Sequence, residues 1–356
     1  MMMLANPPNL PLIAFVDPCC AGGYDLADLE KSGLGGTEAT VLRVATALRF
    51  RFRVTHYQAG RSDSIRSDAG DLRPLDHLRQ ARAADAIVVL NRWKVAAKLR
   101  KLYPGTPIFL WLHVYPGRHN RAMGAVMKDA DITVICVSRT HVRSLATFTR
   151  TSDRPDITFI YNPVADGLRP DGSTRDADKL LFASSPHKGL GQVFEQFAAL
   201  RLSIPSITLA VADPGYLKWD TGAVPDGVSF LGALPHHVLV QHMRQALCLF
   251  NPQTSFAETF GLVLAEANAV GTPVLIHEGL GANDEVVADE AQRVDGNDPE
   301  AILKKIAQWR HSCPAVTTNP EFNMAEVANV WAELLQSAVK RTPSGAASYS
   351  LAQGIR

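Results

Sequence analysis

Short apolar runs and helix-period stretches take turns along most of the chain. In the first half, residues 12–16, 53–57, 86–90, 108–113, 132–137 and 157–160 are rich in Val, Ile and Leu and read as strands. Helical periodicity fills most of the gaps, at 37–50, 93–102, 121–128 and 139–148. Strands that are apolar throughout, separated by helices, predict a parallel sheet covered on both faces. Residues 166–178 break the pattern with a polar, turn-rich stretch that reads as a linker. The alternation then resumes, with strands at 180–183, 207–212, 228–231, 248–250 and 274–276 and helices at 191–200, 235–245, 261–270 and 299–310. The expected architecture is α/β, with two doubly wound Rossmann-like domains facing a cleft. Residues 1–165 form the first domain, 166–178 the linker and 179–322 the second domain. An amphipathic helix at 323–340, carrying Trp331 and Leu334, and a flexible tail at 341–356 complete the chain. Ligands in such sheets bind outside the carboxyl ends of the strands.

Size agrees with two domains, because 356 residues exceed what one core comfortably serves. A chain that is 46% hydrophobic and 20% charged is composed like an ordinary globular protein. A net charge of +1 leaves no basic footprint, so nucleic acid is not an expected partner. The five cysteines, Cys19, Cys20, Cys136, Cys248 and Cys313, show no Cys-x-x-Cys spacing. Cys136 and Cys248 fall in apolar strands and are expected to be buried and reduced, which fits a cytoplasmic location. The apolar stretch 10–16 is interrupted by proline, followed by Asp17 and preceded by no Lys or Arg, so it does not read as a signal peptide. No uncharged run is long enough to span a bilayer. The basic helical stretch 92–101, with Trp93, leaves peripheral membrane contact open, against the alternative of a solvated helix face.

The chemistry concentrates in Glu258-Thr-Phe-Gly-Leu-Val-Leu-Ala-Glu266, which spans a loop-to-helix junction. Phe260, Gly261 and Leu262 would form the first helical turn, where unpaired N–H groups and the helix dipole favour phosphate. Glu266 would lie roughly 12 Å beyond Glu258. Hydroxyls at both ends of a ligand and a diphosphate between them would match this spacing, as in a sugar nucleotide. Two glutamates on a helix are ordinarily solvated, but Leu262, Val263, Leu264, Ala265, Ala267, Ala269 and Val270 make this helix apolar nearly all round. A carboxylate buried there needs partners.

Extended through Ala-Asn-Ala-Val-Gly-Thr-Pro-Val274, the segment resembles the signature of family 4 retaining glycosyltransferases, group 1 glycosyl transferases of the GT-B fold. The resemblance implies that Glu258 faces the donor sugar and Glu266 the nucleotide ribose. It implies that the backbone of Phe260, Gly261 and Leu262 contacts sugar and phosphate. Gly35-Gly36-Thr37-Glu38, opening a helix after the first strand, matches the family's glycine-rich loop. His113, at a strand's carboxyl end, matches a histidine that touches the donor sugar or the reacting centre. Lys188, in Ser184-Ser185-Pro186-His187-Lys188-Gly189, matches the lysine at the diphosphate. The family often places an arginine five or six residues earlier, where this chain has Phe182 and Ala183. Ser138, Asn162-Pro163-Val164 and the stretch from Gly279 to Glu285 resemble family landmarks near the cleft, and the terminal helix is expected to cross back to the first domain.

The candidate catalytic residues are therefore His113, Glu258 and Lys188. The candidate donor-binding residues are Gly35, Gly36, Lys188, Phe260, Gly261, Leu262 and Glu266. The resemblance implies a UDP- or GDP-linked sugar as substrate, a glycan or lipid-linked acceptor, no cofactor and no metal. Asp129-Ala-Asp131 and Asp176-Ala-Asp178 lack the further ligands an octahedral oxygen site requires. Acceptor contacts are expected from the loops at 61–71 and 115–120. Two other functions stay open: a sugar-nucleotide epimerase of the same fold, and a non-catalytic sugar-nucleotide-binding protein. A nicotinamide oxidoreductase fits poorly, because Gly-x-Gly-x-x-Gly is absent.

Overall fold

The computed structural model describes residues 10–31, 33–80, 84–215 and 219–341. The tail expected at 341–356 lies, after its first residue, outside them.

The first sheet contains β1 (Leu12–Asp17), β2 (Arg53–Gln58), β3 (Ile65–Ser67), β4 (Gly70–Pro74), β5 (Ala86–Leu90), β6 (Ile108–Trp111), β7 (Thr133–Cys136) and β8 (Ile157–Phe159), in the order β3-β4-β2-β1-β5-β6-β7-β8. All neighbours are parallel except β3 and β4. Helices α1 (Gly36–Leu48), α2 (Trp93–Leu102), α3 (Met123–Asp129) and α4 (Arg139–Phe148) cover the faces. Alternate residues of β1 show why the strands are apolar throughout. Ile13 and Phe15 enter one core cluster, whereas Ala14 and Val16 enter another on the opposite face. Order reverses between β1 and β5, so a crevice opens beyond their carboxyl ends.

The second sheet has the order β11-β10-β9-β12-β13-β14 and is parallel throughout. Its strands are β9 (Asp176–Ala183), β10 (Thr208–Ala212), β11 (Val228–Phe230), β12 (Ala246–Asn251), β13 (Val274–His277) and β14 (Arg293–Val294). Its helices are α5 (Leu190–Ser203), α6 (His236–Gln245), α7 (Leu262–Ala269), α8 (Asn283–Val286) and α9 (Pro299–His311). The chain then enters α10 (Met324–Arg341), which packs along α1. Trp331 of α10 is fully buried, with its ring 4.6 Å from that of Trp111 and 6.2 Å from that of Phe15.

Several details differ from the pattern-based reading. The stretch 61–71 is not one loop: its second half forms β3 and the turn into β4 at the sheet's edge, too short and polar to register as strands. Gly70, at φ +112°, makes that turn. Arg61 is occupied in bonding Gln58 and the Tyr24 carbonyl. The linker's last residues already belong to β9, and the rest is strapped to the second domain. Arg244 holds Asp171 at 3.1 Å and the Arg169 carbonyl at 3.0 Å, and Arg175 donates to the Gly271 carbonyl. In α2, the Trp93 indole donates to Asn120 at 2.8 Å, and Arg100 is spent on the carbonyls of Thr106, Ala130 and Asp131. Lys94, Lys98 and Lys101 remain exposed. No described helix is long and apolar enough to cross a membrane.

Trp331→Ala is expected to destabilise the protein by about 3–5 kcal/mol, since it empties a large site between α10 and the first sheet. Urea denaturation measures it, and a loss below about 1 kcal/mol would contradict a role for α10 in that core.

Candidate functional site

The site grows out of the turn that starts α7. Gly261 adopts φ +88°, the left-handed region, and caps the helix with no side-chain hydrogen bond. A Cβ there would lie 2.9 Å from Leu264 Cδ1, so space as well as conformation favours glycine. Leu264 N–H already donates to the Gly261 carbonyl at 3.0 Å, which leaves the N–H groups of Leu262 and Val263 for an external acceptor. Burial of Leu264, Ala265, Ala267 and Ala269 draws α7 inward and takes Glu266 with it, leaving that residue 4% exposed. Arg43 of α1 donates through Nη1 to Glu266 Oε1 at 3.1 Å, and His236 Nε2 lies 3.1 Å from the same oxygen. Burial opposes ionisation of Glu266, but these contacts outweigh it and hold the carboxyl below its ordinary range.

Glu258 lies outside the helix, where Lys188 Nζ donates to its Oε1 at 2.8 Å. Two residues assigned separately by sequence thus form one ion pair. Lys188 also stands 5.0 Å from the centre of the Phe256 ring. Gly189 follows at φ +89° and starts α5, and a Cβ on it would collide with Gln253. Gln253 Oε1 accepts from the N–H groups of Ser255 and Phe256, fixing the loop that carries the aromatic ring. His187 contacts Ser185 Oγ at 2.9 Å, and burial together with Lys188 lowers its pKa.

The first domain grips this loop from the other side. Thr259 Oγ1 donates to the His113 carbonyl at 2.8 Å, Ser138 Oγ to the Thr259 carbonyl at 2.7 Å and Tyr115 hydroxyl to the Glu258 carbonyl at 3.2 Å. Ala282 N–H donates to that same Glu258 carbonyl. A second clasp lies nearby, where Glu285 accepts from the N–H groups of Arg139 and Thr140, both at 2.7 Å, and from Tyr161 hydroxyl at 2.8 Å. One domain's carboxylate therefore caps the other's helix, α4. Burial opposes its charge, yet the hydrogen bonds to Thr140 and Arg139 prevail and lower its pKa. Rings of Tyr161, Phe260 and Phe322 pack where the chain crosses between domains.

His113 sits beyond β6, its N–H bonded at 2.7 Å to Asn91 Oδ1. Asn91 adopts φ 54°, rare for a residue with a side chain. The His113 ring is 4.6 Å from that of Trp111, and its Nε2 is buried without a partner. Burial, and secondarily His141, push the imidazole pKa down to about 3, so the ring is neutral. Of the two glycines that open α1, Gly35 as its cap and Gly36 as its first residue, Gly36 faces Leu262 of α7. The Glu38 carboxylate lies where a Cβ on residue 35 would be. That helix terminus thus has an anion of its own, and burial raises the Glu38 pKa.

The structure brings Gly36, His113, Lys188, Glu258, Phe260, Gly261, Leu262 and Glu266 to one region between the domains. Sequence reasoning missed Arg43, His236 and Asn91, and it placed Tyr115 in an acceptor loop without its bond to the Glu258 carbonyl. Only Arg43 gave a signal, as a lone cation among the buried positions Val41, Leu42, Val44 and Ala45. Among the described residues, no group of three or more His, Cys, Asp or Glu could hold a metal ion.

Residues 180–324 match the family model described as Glycosyl transferases group 1. No curated protein matches the chain. Solved structures similar to it include sucrose-phosphate synthase from Thermosynechococcus elongatus, with a TM-score of 0.67 and 17% identity over 93% of this chain and 97% of that one. Anabaena HepE, in complex with UDP and glucose, has a TM-score of 0.60 and 17% identity over 93% of this chain and 98% of that one. WaaG, a glycosyltransferase involved in lipopolysaccharide biosynthesis, has a TM-score of 0.57 and 15% identity over 94% of this chain and all of that one, 100%. At such identities the likeness establishes the fold, which is GT-B.

Burial lowers the pKa of several histidines, furthest in His56 to about 4, His113 to about 3 and His141 to about 4. An unfolded histidine titrates near ~6.5. Between these values the unfolded chain binds more protons, so stability is expected to fall as pH drops below ~6.5. Urea midpoints at pH ~7 and ~5 test this, and an unchanged midpoint would contradict neutral buried imidazoles.

Proposed function

For a chain that residues 180–324 mark as a group 1 glycosyltransferase on a GT-B scaffold, we propose a retaining transfer from a UDP- or GDP-linked sugar to a hydroxyl of a glycan or lipid-linked acceptor, without a metal ion. The observation that carries this reading is the pair of carboxylates on either side of one open helix terminus. Glu266 is buried and ionised on the helix, and Glu258 lies beyond the terminus with a lysine in contact. Support for the donor class comes from HepE, solved with UDP and glucose. Support for the acceptor class comes from WaaG, a lipopolysaccharide glycosyltransferase.

In this reading the diphosphate sits against the N–H groups opening α7. Lys188 moves its charge from Glu258 to the phosphates, which frees Glu258 to accept hydroxyls of the donor sugar. Glu266 accepts from the ribose. Neutral His113 offers a buried ring nitrogen at the reacting centre. As the anomeric carbon–oxygen bond breaks, negative charge grows on the leaving diphosphate, where Lys188 and the helix terminus stabilise it. The acceptor oxygen bonds that carbon on the face the leaving group departs, and its proton passes to the diphosphate. No protein nucleophile is required. The two-domain grip excludes water, a competing acceptor.

A thermal-shift screen of UDP-, GDP- and ADP-sugars tests the donor class, with a raised Tm expected for UDP- or GDP-sugars, and no response to any would contradict it. Glu266→Ala is expected to weaken nucleoside diphosphate binding about tenfold or more by calorimetry. Unchanged affinity would remove Glu266 from the ribose. Glu258→Ala is expected to lower turnover about a hundredfold while leaving nucleotide affinity within a few fold. Parent-like turnover would reduce Glu258 to a packing role. Turnover should persist in excess chelator, and a loss restored by manganese would overturn the metal-free reaction.

A further inference from the structure

Glu266 reaches its partners in an unequal way. One, His236, begins α6 in the same domain. The other, Arg43, projects from α1 of the opposite domain, although nothing in the sequence pattern connects residues 43 and 266. The Arg43 side chain is 11% exposed and that of Glu266 5%, so the pair is sheltered from solvent. Both contacts fall on Oε1, at 3.1 Å each. A carboxylate has four lone-pair sites across two oxygens, and among the described residues nothing donates to Oε2, which keeps its full capacity for further donors. Gly36, at the start of α1, faces Leu262, at the start of α7. With the ion pair, this contact brings the amino end of α1 to the amino end of α7.

We propose that Arg43 is a positioning residue for the donor nucleotide: from the first domain it holds the Glu266 carboxylate in place through Oε1, leaving Oε2 to accept the ribose hydroxyls. This rests on the donor-site reading above and adds that the ribose subsite is built by both domains. Permanent charge suits arginine to the task, because histidine loses its charge within the ordinary pH range. With Arg43 removed, a sheltered carboxylate keeps only the histidine and is free to rotate or take up a proton. Either change spoils an acceptor aimed at two hydroxyls. The effect on the nucleotide is therefore indirect and runs entirely through Glu266.

Calorimetric titration with UDP and with GDP tests this on the full chain and on Arg43→Met, Arg43→Lys, Glu266→Gln and the Arg43→Met/Glu266→Gln double variant. Arg43→Met is expected to weaken binding of the preferred nucleotide about tenfold, and Arg43→Lys, which keeps the charge without the planar fork, by less. The double variant should bind about as weakly as Glu266→Gln alone, because the arginine acts through the glutamate. A structural role for Arg43 would instead give additive losses, which overturns the proposal, as does parent-like affinity in Arg43→Met. Should Arg43→Met fail to fold in a thermal melt, the lysine variant decides: full parent affinity in Arg43→Lys, or a loss that persists in the Glu266→Gln background, overturns the proposal, and a partial loss absent from that background upholds it. A parent that binds neither nucleotide would sink the donor-site reading itself, a different failure from variants that match a binding parent.

Discussion

The backbone from Glu258 to Leu262 is held by both domains at once, and the geometry of the site follows from that grip. His113, Tyr115 and Ser138 bond it from the first domain, while Ala282 and the left-handed Gly261 shape it from the second. The same stretch sets where Glu258 points, where α7 begins and how deep Glu266 lies. A shift in domain orientation therefore moves all three. With the Glu285 clasp, six hydrogen bonds cross between the domains in this region. At about 0.5–1.5 kcal/mol net apiece they sum to an amount that thermal motion and ligand binding can oppose.

Charge in the cleft is arranged in pairs. Lys188 faces Glu258, Arg43 faces Glu266, and Glu285 faces a helix terminus. The buried histidines stay neutral, because desolvation outweighs any stabilisation of their charged form. On the proposed reading, a diphosphate entering this site would compete with Glu258 for Lys188, and sugar hydroxyls would compensate the released carboxylate. The ligand proposed would then have to supply both an anion and hydroxyl donors.

Much of this was legible from sequence, and what was not has physical reasons. Elements such as β5, α2 and α4 fall where the apolar periodicity placed them, because each buries a continuous face and is bounded by turns. The acidic pair around α7 was readable because local spacing along a helix is fixed. The edge pair β3 and β4 and the two-residue β14 carry too few apolar residues to register. The contact of Arg43 with Glu266 spans 223 positions and two domains, and no local period encodes such a meeting. Likewise, Lys188 and Glu258 were each legible as site residues, but their pairing is a product of the fold. The linker's attachment depends on Arg175 and Arg244, whose roles emerge only once the second sheet has formed.

A structure of the protein soaked with UDP or GDP tests the central arrangement most directly. The pyrophosphate should lie against the N–H groups of Gly261 and Leu262, with the ribose hydroxyls on Glu266 and Lys188 turned from Glu258 to phosphate. A nucleotide found elsewhere, or a terminus of α7 sealed by the protein's own side chains with the nucleotide in solution, would contradict it.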